Sequence, residues 1–391
     1  MKVLTIARDK NGKIFDKNSA VSERNISYGE LMQSLDIVVF TLKSQSFEKT
    51  KLSENVTVYP TNSASRWFFV WDAILLGKKI IKQDGFVRGD SVVTCQDPFE
   101  CGFVGWCITR HFRLPLHLQI HTDFLSRYFQ TTFFQRLRVW TARFLLPRAD
   151  FIRVVSLRVA ESLKNSGIKL KNPPRVLPIR IDFEKIISEK SDDDIAIDDK
   201  SNLKKLFPRF KFYILMASRL TEEKCVNDAL SAFAKLVKKH SYAGLFIAGS
   251  GPMLASLEEK SRVLNISDNV VFLGERSDIV ALMKSANIFL STSLFEGYGM
   301  SVVEAGLSRL PVLSTGVGIA GEILVHMKNS YICPVHDISC IAQGIETIIT
   351  DNSLRTVLAQ NLFDDIYSRM SSREEYTKSY VALLKESSQN K

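Results

Sequence analysis

Two blocks in which short apolar runs alternate with helix-length segments constrain the fold of this chain more than any other feature. An acidic and polar stretch separates the blocks, and helix-length segments such as 63–80, 99–112 and 226–239 lie between the apolar runs. Strand and helix in alternation predict a parallel sheet with helical crossovers. The predicted strands are 2–7, 36–42, 91–95, 115–121 and 151–156 in the first block, and 211–220, 244–251, 270–274, 287–293 and 311–315 in the second. The predicted class is α/β, with two doubly wound domains.

The length of the chain agrees with two domains. At 391 residues it exceeds the size at which one hydrophobic core usually stops growing. We predict a first domain over 1–182, an interdomain segment over 183–210 and a second domain over 211–365. A C-terminal helix within 366–391 is expected to pack back on the first domain.

Positive charge is concentrated in the first block. Residues 1–180 hold 28 Lys and Arg against 15 Asp and Glu, or +13, whereas the remainder holds 24 against 27, or −3. This asymmetry favours an acidic partner such as phosphate groups, a lipid surface or nucleic acid. A basic surface that serves only solubility is an equal alternative.

Cysteine usage and hydropathy indicate the cellular compartment. The six cysteines form no C-x-x-C pair and have no histidine cluster at metal-ligand spacing near them, so we expect a reduced, intracellular chain without a metal site. No run of about 18 uncharged apolar residues is present, and the N-terminal apolar run is too short for a signal peptide. We therefore expect a cytoplasmic protein that does not span a membrane.

Glycines and cations follow two strands of the second block. Gly249 and Gly251, in GSGP after a strand, let the backbone approach a ligand closely, although a tight turn without a ligand explains them equally well. Arg219 and Lys224, in SRLTEEK after another strand, suit a diphosphate clamp. As an isolated pair they would more often be ordinary surface charges.

The stretch LFEGYGMSVVE at 294–304 places two carboxylates around a pair of glycines. Gly297 and Gly299 expose backbone amides at a helix N-terminus, whereas Glu296 and Glu304 can accept hydrogen bonds from vicinal hydroxyls. Carboxylates that flank amide donors suit a molecule with sugars at both ends and phosphates between, which is a nucleotide sugar. A helix-start carboxylate and a solvent-facing one are the bland alternative.

The stretches SRLTEEK, AGSGP, VVFLGE and EGYGMSVVEAGLSRLPVLST, in this order, resemble the C-terminal domain of the retaining glycosyltransferases of family 4. The resemblance covers roughly 211–350 and includes the E-x7-E motif. It implies the GT-B fold, in which two Rossmann-like domains face a central cleft.

The resemblance also implies roles for particular residues. Arg219 and Lys224 would hold the donor diphosphate, Glu304 the ribose hydroxyls and Glu296 the transferred sugar. Amides of the Gly297–Gly299 loop would meet the sugar and phosphates. The complete implied set is His121, Arg219, Lys224 and Glu296 for catalysis, and Gly249, Gly251, Gly297, Tyr298, Gly299 and Glu304 for donor binding.

The first block resembles the family less closely. Family members usually carry a Gly-Gly loop after the first strand, whereas this chain has only Gly12 there, which leaves Arg8 and Arg24 as candidate replacements. His121, at the end of the strand PLHLQIH, occupies the place of the family's active-site histidine. It could hydrogen-bond a sugar hydroxyl or assist proton movement. Asp97 and Asp123 are weaker candidates, because helix or turn caps explain both.

Residues 124–146 are predicted to form an amphipathic helix. Phe133, Leu137, Trp140 and Phe144 would share one face, with arginines on its flanks. Such a helix could lie on an anionic membrane and bring the protein to a lipid-linked acceptor. Packing on the sheet gives the same apolar stripe and is the alternative.

The resemblance therefore implies a metal-independent, retaining glycosyltransferase that needs no cofactor. It would move a sugar from a nucleotide-sugar donor to a glycan or lipid-linked acceptor, in polysaccharide or glycolipid synthesis, by front-face substitution. A non-catalytic nucleotide-sugar-binding relative is the main alternative, and epimerases and inverting transferases are the nearest enzymes. No recognisable motif supports nucleic-acid binding.

Overall fold

The computed structural model describes residues 1–9, 11–188 and 199–389. It divides the chain into two compact units, one formed by Met1–Pro178 with Ser371–Lys391 and the other by Ile179–Met370. Residues 189–198, in the middle of the predicted interdomain segment, lie outside the described residues.

The first unit is built on one mostly parallel sheet. Within the described residues its eight strands have the order β3-β4-β2-β1-β5-β6-β7-β8, and only β3 runs antiparallel to its neighbour. The elements are β1 (Lys2–Ala7), α1 (Ala20–Gly29), β2 (Ser34–Val39), β3 (Thr50–Ser53), β4 (Val56–Pro60), α2 (Phe69–Asp84), β5 (Ser91–Cys95), α3 (Glu100–Phe112), β6 (Leu116–Ile120), α4 (Phe133–Leu145), β7 (Phe151–Val154), α5 (Leu157–Asn165) and β8 (Arg175–Val176). The central strands β5 and β6 are buried along their whole length, as expected when helices cover both faces of a sheet.

The second unit has a parallel sheet of six strands within the described residues, in the order β11-β10-β9-β12-β13-β14. Its elements are α6 (Phe183–Ser188), α7 (Leu203–Leu206), β9 (Phe212–Ala217), α8 (Val226–Val237), β10 (Ala243–Ala248), α9 (Leu254–Val263), β11 (Val270–Gly274), α10 (Ile279–Ser285), β12 (Ile288–Ser291), α11 (Met300–Leu307), β13 (Val312–Thr315), β14 (Tyr331–Cys333), α12 (Ile338–Thr350) and α13 (Asn352–Tyr367). Two doubly wound α/β units of this kind confirm the predicted fold class.

The C-terminal helix α14 (Arg373–Gln389) belongs to the first unit although it follows the second along the chain. Tyr376, Tyr380 and Leu384 lie in the same buried cluster as side chains of β1 and β2. The Tyr376 hydroxyl donates to the Pro178 carbonyl oxygen at 2.9 Å, and Gln119 Nε2 donates to the Tyr380 hydroxyl at 3.0 Å. These contacts fix the helix to the carboxyl half of the first sheet.

The prediction of one helix over 124–146 is wrong in its first third. Residues 124–132 form turns, and α4 begins only at Phe133. Thr132 ends the turn region because its hydroxyl accepts from the Gln135 amide at 3.3 Å, while Gln135 Oε1 accepts from the Thr132 amide at 3.0 Å. This reciprocal capping box starts the helix at the residue after Thr132.

The expectation that all cysteines are reduced is also wrong. Cys333, the last residue of β14, forms a disulfide with Cys340 in α12, and their Cα atoms are 5.7 Å apart. The turn between β14 and α12 brings the two cysteines together, and a spacing of seven residues does not by itself predict such a turn.

In the part of the chain that the structure describes, no helix has both the length and the apolar character required to cross a membrane.

Candidate functional site

Four loops of the second unit meet at one edge of its sheet. They follow β9, β10, β12 and β13, which are parallel neighbours in the sheet, so that their carboxyl ends lie together. In open α/β sheets this edge is where ligands bind. All candidate donor-binding residues, which lie between positions 219 and 304, are in these loops or in the helix that follows β12.

Lys224 and Glu296 form the centre of this edge. Lys224 Nζ donates to Glu296 Oε1, and Ser293 Oγ donates to the same oxygen at 2.8 Å. Both charged side chains are largely buried, with 16% and 21% of their surface exposed. Glu296 Oε2 has no hydrogen bond to another described residue. An oxygen in that position can accept a hydroxyl from a ligand.

The loop that holds Lys224 is tied directly to the loop that holds Glu296. Thr292 Oγ1 lies 3.0 Å from the carbonyl oxygens of both Lys224 and Cys225, and the Leu294 amide donates to the Glu223 carbonyl at 2.8 Å. Since backbone and side chain are both fixed, the ion pair is preorganised rather than a chance surface contact.

Gly249 and Gly251 are required by close backbone packing. A Cβ atom at Gly249, where φ is +139°, would lie 1.8 Å from the Ser218 carbonyl oxygen, and one at Gly251 would lie 2.3 Å from that of Leu220. The Gly249 amide already donates to the Gly274 carbonyl at 2.7 Å. These glycines therefore bring the loops after β9 and β10 together.

The Gly297–Gly299 loop leads into α11. Gly299 has a φ of +96° and is the residue before the helix, whose first-turn amides have no partner within the helix itself. Tyr298 is buried, and its carbonyl oxygen accepts from the Ile319 amide at 3.2 Å. Gly318, at φ +58°, has no room for a side chain, because a Cβ there would approach the Tyr298 carbonyl oxygen to 2.6 Å.

Glu304 is a partly buried carboxylate on the second turn of α11. Burial raises the pKa of Glu304 to about 7. Among the described residues its carboxylate has neither a hydrogen-bond partner nor an ion pair. A carboxylate left without compensation in this way gains stability when a ligand donates hydrogen bonds to it.

The loop after β9 presents further polar groups. The Arg219 side chain is 68% exposed, and its guanidinium pairs with Glu223 Oε1 at 3.0 Å. Ser218 Oγ and Thr221 Oγ1 are buried without a hydrogen-bond partner among the described residues. Unsatisfied buried hydroxyls are costly, which indicates that a ligand or water normally completes them.

One cluster beside this edge has the composition of a metal site. His336 Nδ1 lies 2.8 Å from Asp228 Oδ2 and 3.7 Å from Cys225 Sγ. Burial and the neighbouring Asp228 raise the pKa of the Cys225 thiol to about 12. Without a metal ion the three groups contact one another through His336 Nδ1, and one ligand atom from each lies within 4.8 Å of the others.

In the first unit, His121 follows β6 at the carboxyl edge of the sheet. Burial, with the positive charges of Arg153 and Arg24, lowers the pKa of His121 to about 3. The imidazole is therefore neutral at physiological pH and binds protons weakly. This favours hydrogen bonding to a hydroxyl over proton transfer.

A cavity of about 360 Å³ opens at the ends of β1 and β2, where the family's Gly-Gly loop is missing. Its lining combines charged and aromatic groups: Arg8, Asp9, Phe40, Leu42, Gln45, Arg66 and Phe69.

Asp97 Oδ1 accepts from the Phe99 and Cys101 amides, which confirms its interpretation as a helix cap. Asp123 Oδ1 accepts from Ser162 Oγ at 2.9 Å.

Sequence reasoning missed several groups that the fold brings to the carboxyl edge of the second unit's sheet. Ser293 lies in the stretch STS and orients Glu296, whereas Gly318, in TGVGIAGE, supports Tyr298. Ser218 and Thr221 lie within SRLTEEK itself. The small polar residues at strand ends were the available signal, but serine and threonine are too common there to stand out.

Comparison with known proteins shows what this chain is similar to. A family model described as glycosyl transferases group 1 matches residues 198–364, which lie within the second unit. The chain is 26% identical over 322 residues to an uncharacterized glycosyltransferase of Methanocaldococcus jannaschii, covering 81% of each chain. It is 28% identical over 236 residues to alpha-monoglucosyldiacylglycerol synthase of Streptococcus pneumoniae, covering 58% of this chain and 52% of that protein.

The fold is similar to solved structures over its whole length. The structure of Anabaena HepE in complex with UDP and glucose aligns with a TM-score of 0.75 at 18% identity, covering 98% of this chain and 99% of the other. The fold is GT-B, and the family match and the relatives support a glycosyltransferase.

Proposed function

We propose that this protein transfers a sugar, with retention of its anomeric configuration, from a nucleotide-sugar donor to a hydroxyl of a glycan or lipid-linked acceptor. The observation that carries the proposal is the preorganised Lys224–Glu296 pair at the ligand-binding edge of the second sheet. One relative is named alpha-monoglucosyldiacylglycerol synthase, and another, of Staphylococcus aureus, is named capsular polysaccharide biosynthesis glycosyltransferase.

The groups at the carboxyl edge of the second unit's sheet support a nucleotide-sugar donor. Lys224 and Arg219 supply positive charge for a diphosphate, and the α11 N-terminus adds its dipole. The carboxylate of Glu304 suits a ribose diol, and Glu296 Oε2 suits a hydroxyl of the transferred sugar. The Glu304 carboxylate and Glu296 Oε2 would then each accept a hydrogen bond from a ligand hydroxyl.

The proposed catalytic effect is stabilisation of the negative charge that develops on the leaving group. When the bond between the anomeric carbon and the diphosphate breaks, negative charge grows on the phosphate oxygens, and Lys224 and Arg219 stabilise it. In the front-face route a donor phosphate oxygen takes the acceptor proton on the side from which the leaving group departs. His121 orients a sugar hydroxyl, because burial and the positive charges of Arg153 and Arg24 lower its pKa and favour the neutral imidazole.

The test is a transfer assay with UDP-, GDP- and ADP-sugars, sugar acceptors and acceptors in vesicles. Nucleotide release is measured first, and the anomeric configuration of the product is then read by proton NMR. We expect release that depends on an acceptor and a product with retained configuration. A donor that binds without turnover over all acceptors would replace this proposal with the non-catalytic reading.

A further inference from the structure

Large apolar side chains are exposed on two neighbouring stretches of the first unit. Trp67 is 85% exposed and Phe133 is 75% exposed. Within the described residues, every exposed tryptophan and phenylalanine lies on these two stretches. The members of this aromatic surface are Trp67, Phe68, Trp71 and Leu75 on and just before α2, and Phe133, Phe134, Leu137 and Trp140 on α4. Single exposed apolar residues are normal on proteins, whereas a concentration of this kind indicates a binding surface.

A cavity of about 430 Å³ lies between the two stretches. Val70 of α2 and Phe134 and Leu137 of α4 are on its walls, and the aromatic rings of Phe99 and Phe103 complete its apolar lining. The aromatic surface therefore surrounds the mouth of a pocket that is apolar on most of its sides. A flat protein partner would leave such a pocket empty, whereas a flexible hydrocarbon chain can fill it.

The cavity has one charged end. Arg138, on its wall, donates to Glu100 Oε1 from Nε at 3.0 Å and from Nη2 at 2.8 Å. Glu100 Oε2 lies 3.4 Å from Arg8 Nη1, and Arg8 also lines the cavity of about 360 Å³ at the ends of β1 and β2. An apolar pocket and a pocket with charged groups in its lining are thus joined through one ion-pair network. That succession matches a molecule with a polar head and an apolar chain.

The charges around the aromatic surface select an anionic lipid surface. The helix α4 carries Arg136, Arg138 and Arg143 and no acidic residue, and Arg66 precedes α2. Residues 1–180 as a whole have a net charge of +13. Tryptophan and phenylalanine with basic neighbours on exposed helices are typical of segments that lie in the headgroup region of a bilayer.

We propose that the aromatic surface docks on an anionic lipid bilayer and that the cavity between α2, α3 and α4 receives the apolar chain of the acceptor. The proposal rests on the transferase function above and specifies its acceptor as a lipid-linked one. The polar head, with the hydroxyl that is glycosylated, then lies in the cavity lined by Arg8 and Arg66. A second copy of this chain is the competing occupant of the surface.

Docking is tested by flotation of the full chain with phosphatidylcholine vesicles that contain or lack phosphatidylglycerol. Three of the four tryptophans belong to the aromatic surface, so blue-shifted emission and quenching by brominated lipid report insertion directly. We expect binding only to the anionic vesicles. Because each aromatic ring contributes a large apolar area, Trp67→Ser with Trp71→Ser should weaken binding by about tenfold or more.

Val263→Ser is the matched control, since Val263 is an exposed apolar residue of the second unit, and it should bind vesicles like the parent. Binding that is equal for all variants, or absent for the parent, overturns the docking proposal. So does concentration-dependent dimerisation that the tryptophan substitutions abolish, because a second copy would then cover the surface.

The cavity is tested separately with 1-oleoyl-lysophosphatidylglycerol below its micellar concentration, by calorimetry. Thr141→Trp places an indole into the cavity wall on α4 and should weaken binding of this single-chain lipid about tenfold, while vesicle flotation persists. Equal affinity of parent and variant, or no binding to either, overturns the chain-binding part. Nucleotide binding is measured on the same samples, so a failure of the donor site is recognised independently.

Discussion

The carboxyl edges of the two sheets differ in the way their functional groups are held. In the second unit, Lys224 and Glu296 are largely buried, paired and fixed by bonds between loops. In the first unit, the arginines border open cavities and the aromatic side chains nearby face outward. A rigid polar site suits a small donor with defined charges, whereas an open, apolar surface suits an acceptor that arrives on a larger assembly.

The comparison is tested most strongly at Lys224. Lys224→Ala removes the charge that we propose stabilises the leaving diphosphate and takes away the ion-pair partner of Glu296, so kcat should fall about 10³-fold. Steady-state kinetics at saturating acceptor measure the effect. Lys238→Ala, an exposed lysine of the same unit, is the control and should retain parental activity. A fall of less than threefold at Lys224 would remove it from the catalytic account.

His121 tests the first edge. His121→Ala should lower kcat/KM for transfer by about 10²-fold through loss of hydroxyl orientation, while the affinity for nucleotide stays unchanged. The pKa of His121 is about 3, so replacing it should not remove a limb of the pH–rate profile between pH 5 and 8. Loss of such a limb in the variant would instead identify His121 as the group that carries the proton.

Gly249 tests whether the second edge depends on close backbone packing. Gly249→Ala puts a Cβ 1.8 Å from the Ser218 carbonyl oxygen, so the free energy of unfolding should fall by about 3 kcal/mol. Gly274→Ala is matched, because Gly274 also has a positive φ, +67°, but has open space around it. Urea unfolding of both variants separates the clash from the backbone strain. Equal losses would show that strain alone is responsible.

The smallest effect concerns stability against pH. Burial raises the pKa of Glu304 to about 7, so the folded state binds this proton more tightly than the unfolded chain does. Stability from this group is therefore lost as pH rises from about 4.5 to about 7 and stays lower above that range. Glu304→Gln should gain about 1–2 kcal/mol relative to the parent between pH 5 and pH 8, measured by urea unfolding at both values. No change in the difference between the two proteins would contradict the raised pKa.

The sequence pattern is more informative about the carboxyl edge of the second unit's sheet than about that of the first unit, because the groups there leave local signals. Glycines at positive φ, such as Gly299, and charged residues at strand ends leave a local pattern that can be read without the fold. By contrast, the exposure of Trp67 and Trp140 depends on which neighbours cover α2 and α4. An amphipathic stripe has the same period whether it faces a sheet or solvent.

Two other features depend on local hydrogen bonds and turns that the apolar pattern does not encode. The apolar run predicts a start of α4 nine residues before the observed one, because the Thr132–Gln135 capping box begins the helix at Phe133. The Cys333–Cys340 bond depends on a turn whose shape the spacing does not specify. The apolar pattern predicted the strands, whereas the start of α4 and the disulfide depend on side-chain hydrogen bonding and turn shape.

The most direct test of the donor site is calorimetric titration of UDP, GDP and ADP into the parent and Glu304→Gln at pH 6 and pH 8. If ionised Glu304 accepts the ribose hydroxyls, the affinity of the parent for one nucleotide should rise from pH 6 to pH 8, because the pKa of this carboxyl is about 7. This rise should be about tenfold larger than the change in affinity that Glu304→Gln shows over the same pH range. Equal affinities and equal pH dependence in the two proteins would contradict a nucleotide-binding role for Glu304 and, with it, the proposed placement of the donor.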